Sequence, residues 1–423
     1  MSDELASDRP ERPRAVSRRA RLLFLQREQP RGGGAAVAAW MIQSLIRDYD
    51  VTLLRWRQPD LREIDRFFGT SLQGSGLKII TIEPVLRRII ELDPDRGSIQ
   101  DWCVLLRRCK QIRHRYDLLL SAEMEADFGE PGIQYIHFPA ISSFYPPRAS
   151  ASGLPWWRKG AALIRGELRP WMILANYSFE RMRRNVTLTN SDWVGDLVRK
   201  TYGIETVTLY PPAAGGFRRM PWAQRENGFV CIGRIDPCKR IEWIVELLDR
   251  VRTEIPEVRL HIVGPSDIMP GSHAYRRKLA ELFRSNADWV ELHENLPREE
   301  LLELLARNRY GIHAHTDEHF GIAVAEMVLA GCIPFVYDRG GPVEIVGGDS
   351  RLLYSSADDA MEKIVRTMTD LPQQENLLTK LAARAQLFSA ERFMREVRGI
   401  VERALAARQV ANPAQPSSIR PQS

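Results

Sequence analysis

The 423 residues contain no run of about 18 apolar residues, so nothing in them reads as a membrane-spanning helix. Cysteine is scarce: Cys103, Cys109, Cys231, Cys238 and Cys332 are odd in number, scattered, and form no CxxC pair. That spacing argues against a disulfide framework and a zinc ribbon, and a reducing compartment is the simpler reading. No short-period repeat appears, and the GxGxxG spacing of dinucleotide-binding turns is missing. The first twenty residues, rich in Arg, Asp and Pro, lack the apolar stretch of a secretory signal. They read as disordered, as does the Pro-, Gln- and Ser-rich tail over 408–423.

What is present is ordinary globular composition, 44% hydrophobic and 27% charged, with length enough for two domains and two cores. A net charge of +6 suits a phosphate-bearing partner: a nucleotide, a nucleic acid or an anionic membrane. Charge alone does not choose among them.

Short β-rich apolar runs alternate with helical patterns. In the first half Arg21–Gln26, Val51–Arg55, Lys78–Ile82, Asp117–Ser121, Ile133–His137 and Val186–Asn190 read as strands, with helices over Ala35–Asp48 and Ile99–Arg115. The pattern restarts with Phe229–Ile232, Arg259–Val263, Trp289–Leu292, Tyr310–His313 and Ile333–Tyr337. Near-continuous apolar strands between helices indicate parallel sheets covered on both faces. Pro211–Gly216 reads as the linker and Ser389–Ala407 as a last helix. The expected α/β organisation is a first domain over 21–210, a second over 211–385 and a terminal helix over 386–407. Two doubly wound domains in tandem leave a cleft at the carboxyl ends of their strands, where such folds bind ligands.

Three loops carry chemistry. Gly32-Gly33-Gly34 follows the first strand and opens a helix, which suits either an anion approached by backbone N–H groups or a merely permissive turn. Gly233-Arg234-Ile235-Asp236-Pro237-Cys238-Lys239-Arg240 follows the first strand of the second domain. There Arg234 offers a planar fork of donors and Lys239 a compact charge, both fitted to a diphosphate; a solvated basic loop is the other reading. Glu318-His319-Phe320-Gly321-Ile322 leads into a helix over Ala323–Ala330, whose first amides at Gly321 and Ile322 have no partner within the helix. Glu318 in the entry loop and Glu326 two turns on could reach a sugar and a ribose, since a carboxylate offers several acceptor sites to vicinal hydroxyls. A dipole-favoured glutamate and a solvated acid remain open as the alternative.

Together these residues resemble family 4 of the retaining glycosyltransferases. The resemblance is carried by Gly233-Arg234 with Lys239, by Glu318 and Glu326 with seven residues between, and by the stretch EHFGIAVAEMVLAGCIPFVYDRGG over 318–341. Tyr135–Pro139, Thr189–Trp193 and Tyr210-Pro211-Pro212 are also similar, and the likeness runs over most of 21–405. Within the family the motifs are most similar to α-1,2-mannosyltransferases that extend dolichol-linked oligosaccharide on the cytosolic face. The resemblance implies the GT-B fold: two Rossmann-like doubly wound domains facing a central cleft, with the C-terminal helix returning to the first. It implies retaining transfer of a hexose, mannose before others, from a nucleotide-sugar such as GDP-mannose to a glycan or lipid-linked acceptor. Arg234 and Lys239, with Gly233, would hold the diphosphate. Gly33 and Gly34 would close onto the phosphates, and Phe320, Gly321 and Ile322 would line the donor site. Glu318 would bind the transferred sugar, Glu326 the ribose, and His137 would stand beside the sugar. No metal, cofactor or nucleic acid is implied, and the expected location is cytoplasmic, at the inner face of a membrane. Residues 149–184 have no placed counterpart.

Other readings were weighed on the residues. His313, His315, Asp317 and His319 nearly copy the HxHxDH pattern of binuclear metallohydrolases, but Asp317 and His319 stand one residue too far apart. Asp93-Pro94-Asp95 matches the DxD of metal-dependent transferases in a turn-like setting, and Asp127-Phe128-Gly129 mimics a kinase motif without the other kinase parts. A GT-B-fold sugar-nucleotide epimerase or hydrolase, and a non-catalytic nucleotide-sugar or nucleic-acid binding protein, are the rival functions; the paired glutamates argue against both. Finally, residues 154–184 combine Trp156, Trp157 and Trp171 with seven basic and two acidic residues, a composition suited to the headgroup boundary of an anionic bilayer.

Overall fold

The computed structural model describes residues 18–27, 32–92, 97–141, 168–213, 215–217, 220–265 and 273–411. Within them thirteen strands form two parallel sheets. The first comprises β1 (Arg21–Leu25), β2 (Asp50–Arg55), β3 (Lys78–Thr81), β4 (Leu118–Ser121), β5 (Ile133–Ile136), β6 (Val186–Thr189) and β7 (Val207–Thr208), in the order β3-β2-β1-β4-β5-β6-β7. The second comprises β8 (Glu226–Ile232), β9 (Arg259–Gly264), β10 (Val290–Glu294), β11 (Asn308–His313), β12 (Ile333–Tyr337) and β13 (Leu353–Tyr354), in the order β10-β9-β8-β11-β12-β13. Both sheets therefore reverse direction beside their own first strand, which is the doubly wound arrangement.

Burial explains why these runs are strands. Leu22 to Leu25 and Leu118 to Ser121 are buried at every position, as central parallel strands covered on both faces must be. The Ser98–Ile112 helix closes one face of the first sheet through Trp102, Leu105, Leu106 and Cys109. The Gly33–Leu45 helix closes the other through Val37, Ala38, Met41 and Ile42. The terminal Ala390–Ala411 helix joins that same cluster through Phe393, Val397, Ile400 and Val401, so the chain does return to its first sheet. The second sheet is covered by Ile241–Arg252 on one side and Arg298–Arg307 on the other.

Each expected strand is present, Ile333–Tyr337 with the expected bounds and the others with one or both ends displaced by one to three residues. The strands β7 and β13 were not expected: two residues each at a sheet edge are too short to show a period. The first helix begins at Gly33 rather than Ala35, so of the three glycines only Gly32 lies outside it, at φ 143°. Residues 1–17, 93–96 and 142–167, with the Asp93–Asp95 pair and Trp156 to Lys159, lie outside the described residues.

Candidate functional site

The loops singled out in the sequence leave the carboxyl ends of β1, β5, β8 and β11. In each sheet, β1 with β4 and β8 with β11 are the neighbours at which strand order reverses, so the loops after β1, β8 and β11 open at the two switch points, and the loop after β5 lies one strand further along the first sheet. Topology thus brings Gly33, Gly34, His137, Gly233, Arg234, Lys239 and Glu318 to facing sheet ends.

On the second sheet, Gly233 has φ 157°, and a Cβ there would stand 2.9 Å from Cε of Lys239. The glycine lets the lysine stem lie across the backbone. Asp236 caps the short Pro237–Lys239 turn by accepting from the Cys238 amide at 3.0 Å, which fixes where the stem starts. Lys239 Nζ then donates to Glu318 Oε2 at 2.6 Å, both side chains mostly buried. His313 Nε2, from the end of β11, lies 3.2 Å from the same oxygen but off the line of a hydrogen bond, and that buried nitrogen has no other partner. Burial would raise the Glu318 carboxyl; His313 and Lys239 outweigh it and hold the group well below the usual carboxylate range. Burial also lowers His313, although Glu318 pulls the other way. Arg234 is exposed and ion-paired to Asp236 at 3.4 Å, apart from the Lys239–Glu318 pair.

The glycines in the DRGGP stretch receive a reason here. A Cβ on Gly340 would meet the Glu318 carbonyl oxygen at 2.5 Å, and one on Gly341 the His319 carbonyl oxygen at 2.4 Å. The Gly341 amide donates to that Glu318 carbonyl at 2.9 Å. The motif is a backbone brace that sets the Glu318 loop. Gly321, at φ 96°, then turns the chain into the Ile322–Leu329 helix, whose amides at Gly321 and Ile322 donate to no acceptor among the described residues. Glu326, two turns from Glu318, is ion-paired to Arg298 at 2.6 Å. The Phe320 side chain does not line the cleft. It is buried against Tyr210 and Phe388, so only its backbone remains to face a ligand.

The first sheet contributes a less charged face. The N-terminus of the Gly33–Leu45 helix approaches that of Ile322–Leu329: a Cβ on Gly33 would stand 2.9 Å from Ile322 Cδ1. Two helix N-termini, each with partial positive charge, thus meet at one point. His137 Nε2 lies 3.3 Å from the Ala122 carbonyl oxygen, and burial lowers the ring to about 4, so it is neutral at pH 7. His319 stacks on Phe138 at 4.5 Å and beside Trp193 at 6.0 Å. Ser191 Oγ donates to the His319 carbonyl at 2.6 Å, and the Glu344 carboxylate accepts the Asp192 and Trp193 amides at 2.9 and 2.8 Å. These contacts close the base of the cleft. Sequence reasoning gave no role to Ser191, Glu344 or Gly264; a Cβ on Gly264 would meet the Gly233 carbonyl oxygen at 2.4 Å.

The histidine motif over 313–319 is not a ligand shell. His313 and His315 do face Glu318, but Lys239 Nζ occupies the cation's place, while Asp317 pairs with Arg339. Asp127 is a buried structural acid bound by Lys110 and Arg181 at 2.8 Å each. That pairing also removes Arg181 from the free charge ascribed to 154–184.

Residues 217–388 match the family model of glycosyl transferases group 1. The GDP-Man:Man(3)GlcNAc(2)-PP-Dol alpha-1,2-mannosyltransferase of Neurospora crassa is 26% identical over 67% of this chain and 58% of its own length. The human enzyme of that name is 27% identical over 49% of this chain and 46% of its own. The chain thus spans about half the length of these relatives. Among solved structures, Anabaena HepE in complex with UDP superposes with TM-score 0.65 at 16% identity, covering 90% of this chain and 99% of that one. WaaG, a glycosyltransferase involved in lipopolysaccharide biosynthesis, gives 0.59 at 15%, covering 89% and 99%.

Proposed function

With residues 217–388 a group 1 glycosyl transferase domain, and both sheets together in the GT-B arrangement, we propose that the chain transfers mannose from GDP-mannose to a hydroxyl of a lipid-linked glycan, with retention. The observation that carries this reading is the Lys239–Glu318 pair, set where two helix N-termini converge between the switch points of both sheets. The relatives named for GDP-mannose and a dolichol-linked acceptor support the choice of sugar and acceptor class.

In this reading the donor diphosphate lies on the free amides at Gly321 and Ile322 and the first turn at Gly33 and Gly34. Lys239 bridges it to Glu318, and Arg234 swings from Asp236 to an outer phosphate oxygen. The bond from the anomeric carbon to the diphosphate breaks, and the electron pair leaves with the phosphate. Lysine, arginine and helix N-termini stabilise that charge in place of a divalent ion. Glu318, kept ionised, accepts hydrogen bonds from sugar hydroxyls. The Ala122 carbonyl beside His137 Nε2 keeps the ring proton there, leaving Nδ1 as an acceptor towards the electron-poor sugar. The acceptor hydroxyl attacks from the face the diphosphate leaves, and the diphosphate takes its proton. Glu326, with Arg298, is assigned to the ribose.

Attachment to an anionic membrane face from the cytoplasm belongs to the same proposal. No helix among the described residues is long and apolar enough to cross a membrane. Two helices packed on one core cluster present apolar side chains outward: Pro84–Glu91 with Val85, Leu86 and Ile89, and Leu168–Leu174 with Ile173 and Leu174. Exposed Arg88 stands among the apolar side chains of the first helix, the composition of an interfacial surface.

The test is product release from GDP-mannose, UDP-glucose and UDP-N-acetylglucosamine, with and without a lipid-linked oligosaccharide. The proposal expects GDP release from GDP-mannose, slow with water and faster with acceptor. Release from a UDP-sugar alone would replace the donor assignment, epimerised donor would indicate the epimerase reading, and binding without turnover would make the chain a binding protein.

A further inference from the structure

A second histidine–carboxylate group stands outside the cleft. His261 on β9 is the register partner of Glu291 on β10, and His293 lies two residues further along β10. Side chains two apart on a strand share a face, so all three project together. His261 Nδ1 is 3.2 Å from His293 Nε2, and Glu291 Oε2 is 3.5 and 3.6 Å from those two nitrogens.

These spacings discriminate between ions. A tetrahedral ion with ligand bonds of ~2.0–2.1 Å separates its ligand atoms by about 3.3–3.4 Å. An octahedral ion of magnesium size would bring neighbouring ligands to about 2.9 Å, and it prefers oxygen. Two imidazoles and one carboxylate are the ligand chemistry of zinc and its transition-metal neighbours. The alternative is a hydrogen bond between the two rings, which the 3.2 Å spacing also allows. Unlike the cleft cluster, no lysine nitrogen among the described residues is paired with this carboxylate.

The position suggests what such an ion does. β10 is an edge strand of the second sheet. Val230 and Val263, which share the face with His261, pack under Leu301, Leu304 and Leu305 of the Arg298–Arg307 helix. The triad stands on that face, where Glu291 is exposed and His293 is partly so. We propose that His261, Glu291 and His293 bind one zinc-type divalent ion, with solvent in the fourth position, and staple the edge strand β10 to β9. This is separate from the transfer reaction and does not depend on that assignment.

The experiment uses the full, untagged chain stripped with EDTA and desalted, titrated with Zn²⁺ by calorimetry and followed by thermal unfolding. The visible spectrum of the Co²⁺ form is recorded alongside. Wild type is expected to bind one ion saturably, to give the intense absorption of four-coordinate Co²⁺, and to unfold several degrees higher with zinc present. Glu291→Gln and His293→Gln should each weaken binding roughly tenfold or more. The double variant should lose both the titration and the thermal shift. Both side chains are accessible, so these variants avoid disturbing buried His261. Zinc binding undiminished in the double variant would place the ion elsewhere, and absence of saturable binding in wild type would leave only a ring-to-ring hydrogen bond; either overturns the proposal.

Discussion

The second sheet carries two histidine–glutamate clusters that differ in what sits among them. At the end of β11, His313 and His315 face Glu318, and Lys239 Nζ closes on the carboxylate at 2.6 Å. Across β9 and β10, His261 and His293 face Glu291 with no ammonium between. In the first, His313 and a covalently tethered cation together hold Glu318 ionised. In the second, the ligand atoms are spaced for an ion from solution. The difference teaches that the identity of the nearest cation, and not the density of ligand-type residues along the chain, decides what such a cluster does.

The largest effect that would sharpen this contrast comes from Lys239→Met. It removes one charge-assisted contact to the donor, worth ~1.5–3 kcal/mol, and strands the Glu318 carboxylate in a mostly buried site. We expect donor turnover to drop about 100-fold, while Glu291→Gln stays within about twofold of wild type. Equal losses in the two variants would erase the distinction.

This contrast was only half legible in the sequence. The motif over 313–319 was visible because its residues are adjacent, yet the cation that completes the cluster comes from Lys239, 79 residues from Glu318. The edge cluster gave no sign: His261 is 32 residues from His293, and only strand register joins them. The strands themselves were readable because parallel pairing demands continuous apolar runs, whereas β7 and β13 are too short to show one. Gly233 and Arg234 were found by their place after a strand. The bracing roles of Gly264, Gly340 and Gly341 were not, because close approach of two backbones leaves no periodic signal.

The next effect is structural. Gly340→Ala puts a Cβ 2.5 Å from the Glu318 carbonyl at a residue with φ 89°. It should destabilise the chain by about 2 kcal/mol and raise the apparent KM for donor, measured by urea denaturation and initial rates. Wild-type values for both would show that the brace does not set the loop.

A smaller effect, shared by the cleft and its histidine cluster, comes from pH. Burial lowers His137 to about 4, and also lowers His313 and His319, from an unfolded value near 6.5. Between those values the unfolded chain binds protons that the folded chain does not, so stability is full above about pH 6.5 and falls as the pH drops towards 4. For His137 the loss should be about 1–2 kcal/mol after allowance for its partial exposure. Urea midpoints at pH 7.5 and 5 check this, and His137→Asn should flatten the slope. The smallest effect is that of a chelator: EDTA should leave turnover within about twofold while lowering the thermal midpoint of zinc-loaded protein.

The account rests most directly on Glu318. GDP-mannose turnover by wild type and Glu318→Gln, both in EDTA and with their thermal midpoints recorded, decides it. A metal-free wild-type rate is expected, with a loss of at least about tenfold in the variant while its midpoint stays above the assay temperature. A variant as active as wild type, or a wild type that turns over only when a divalent ion is restored, would contradict it.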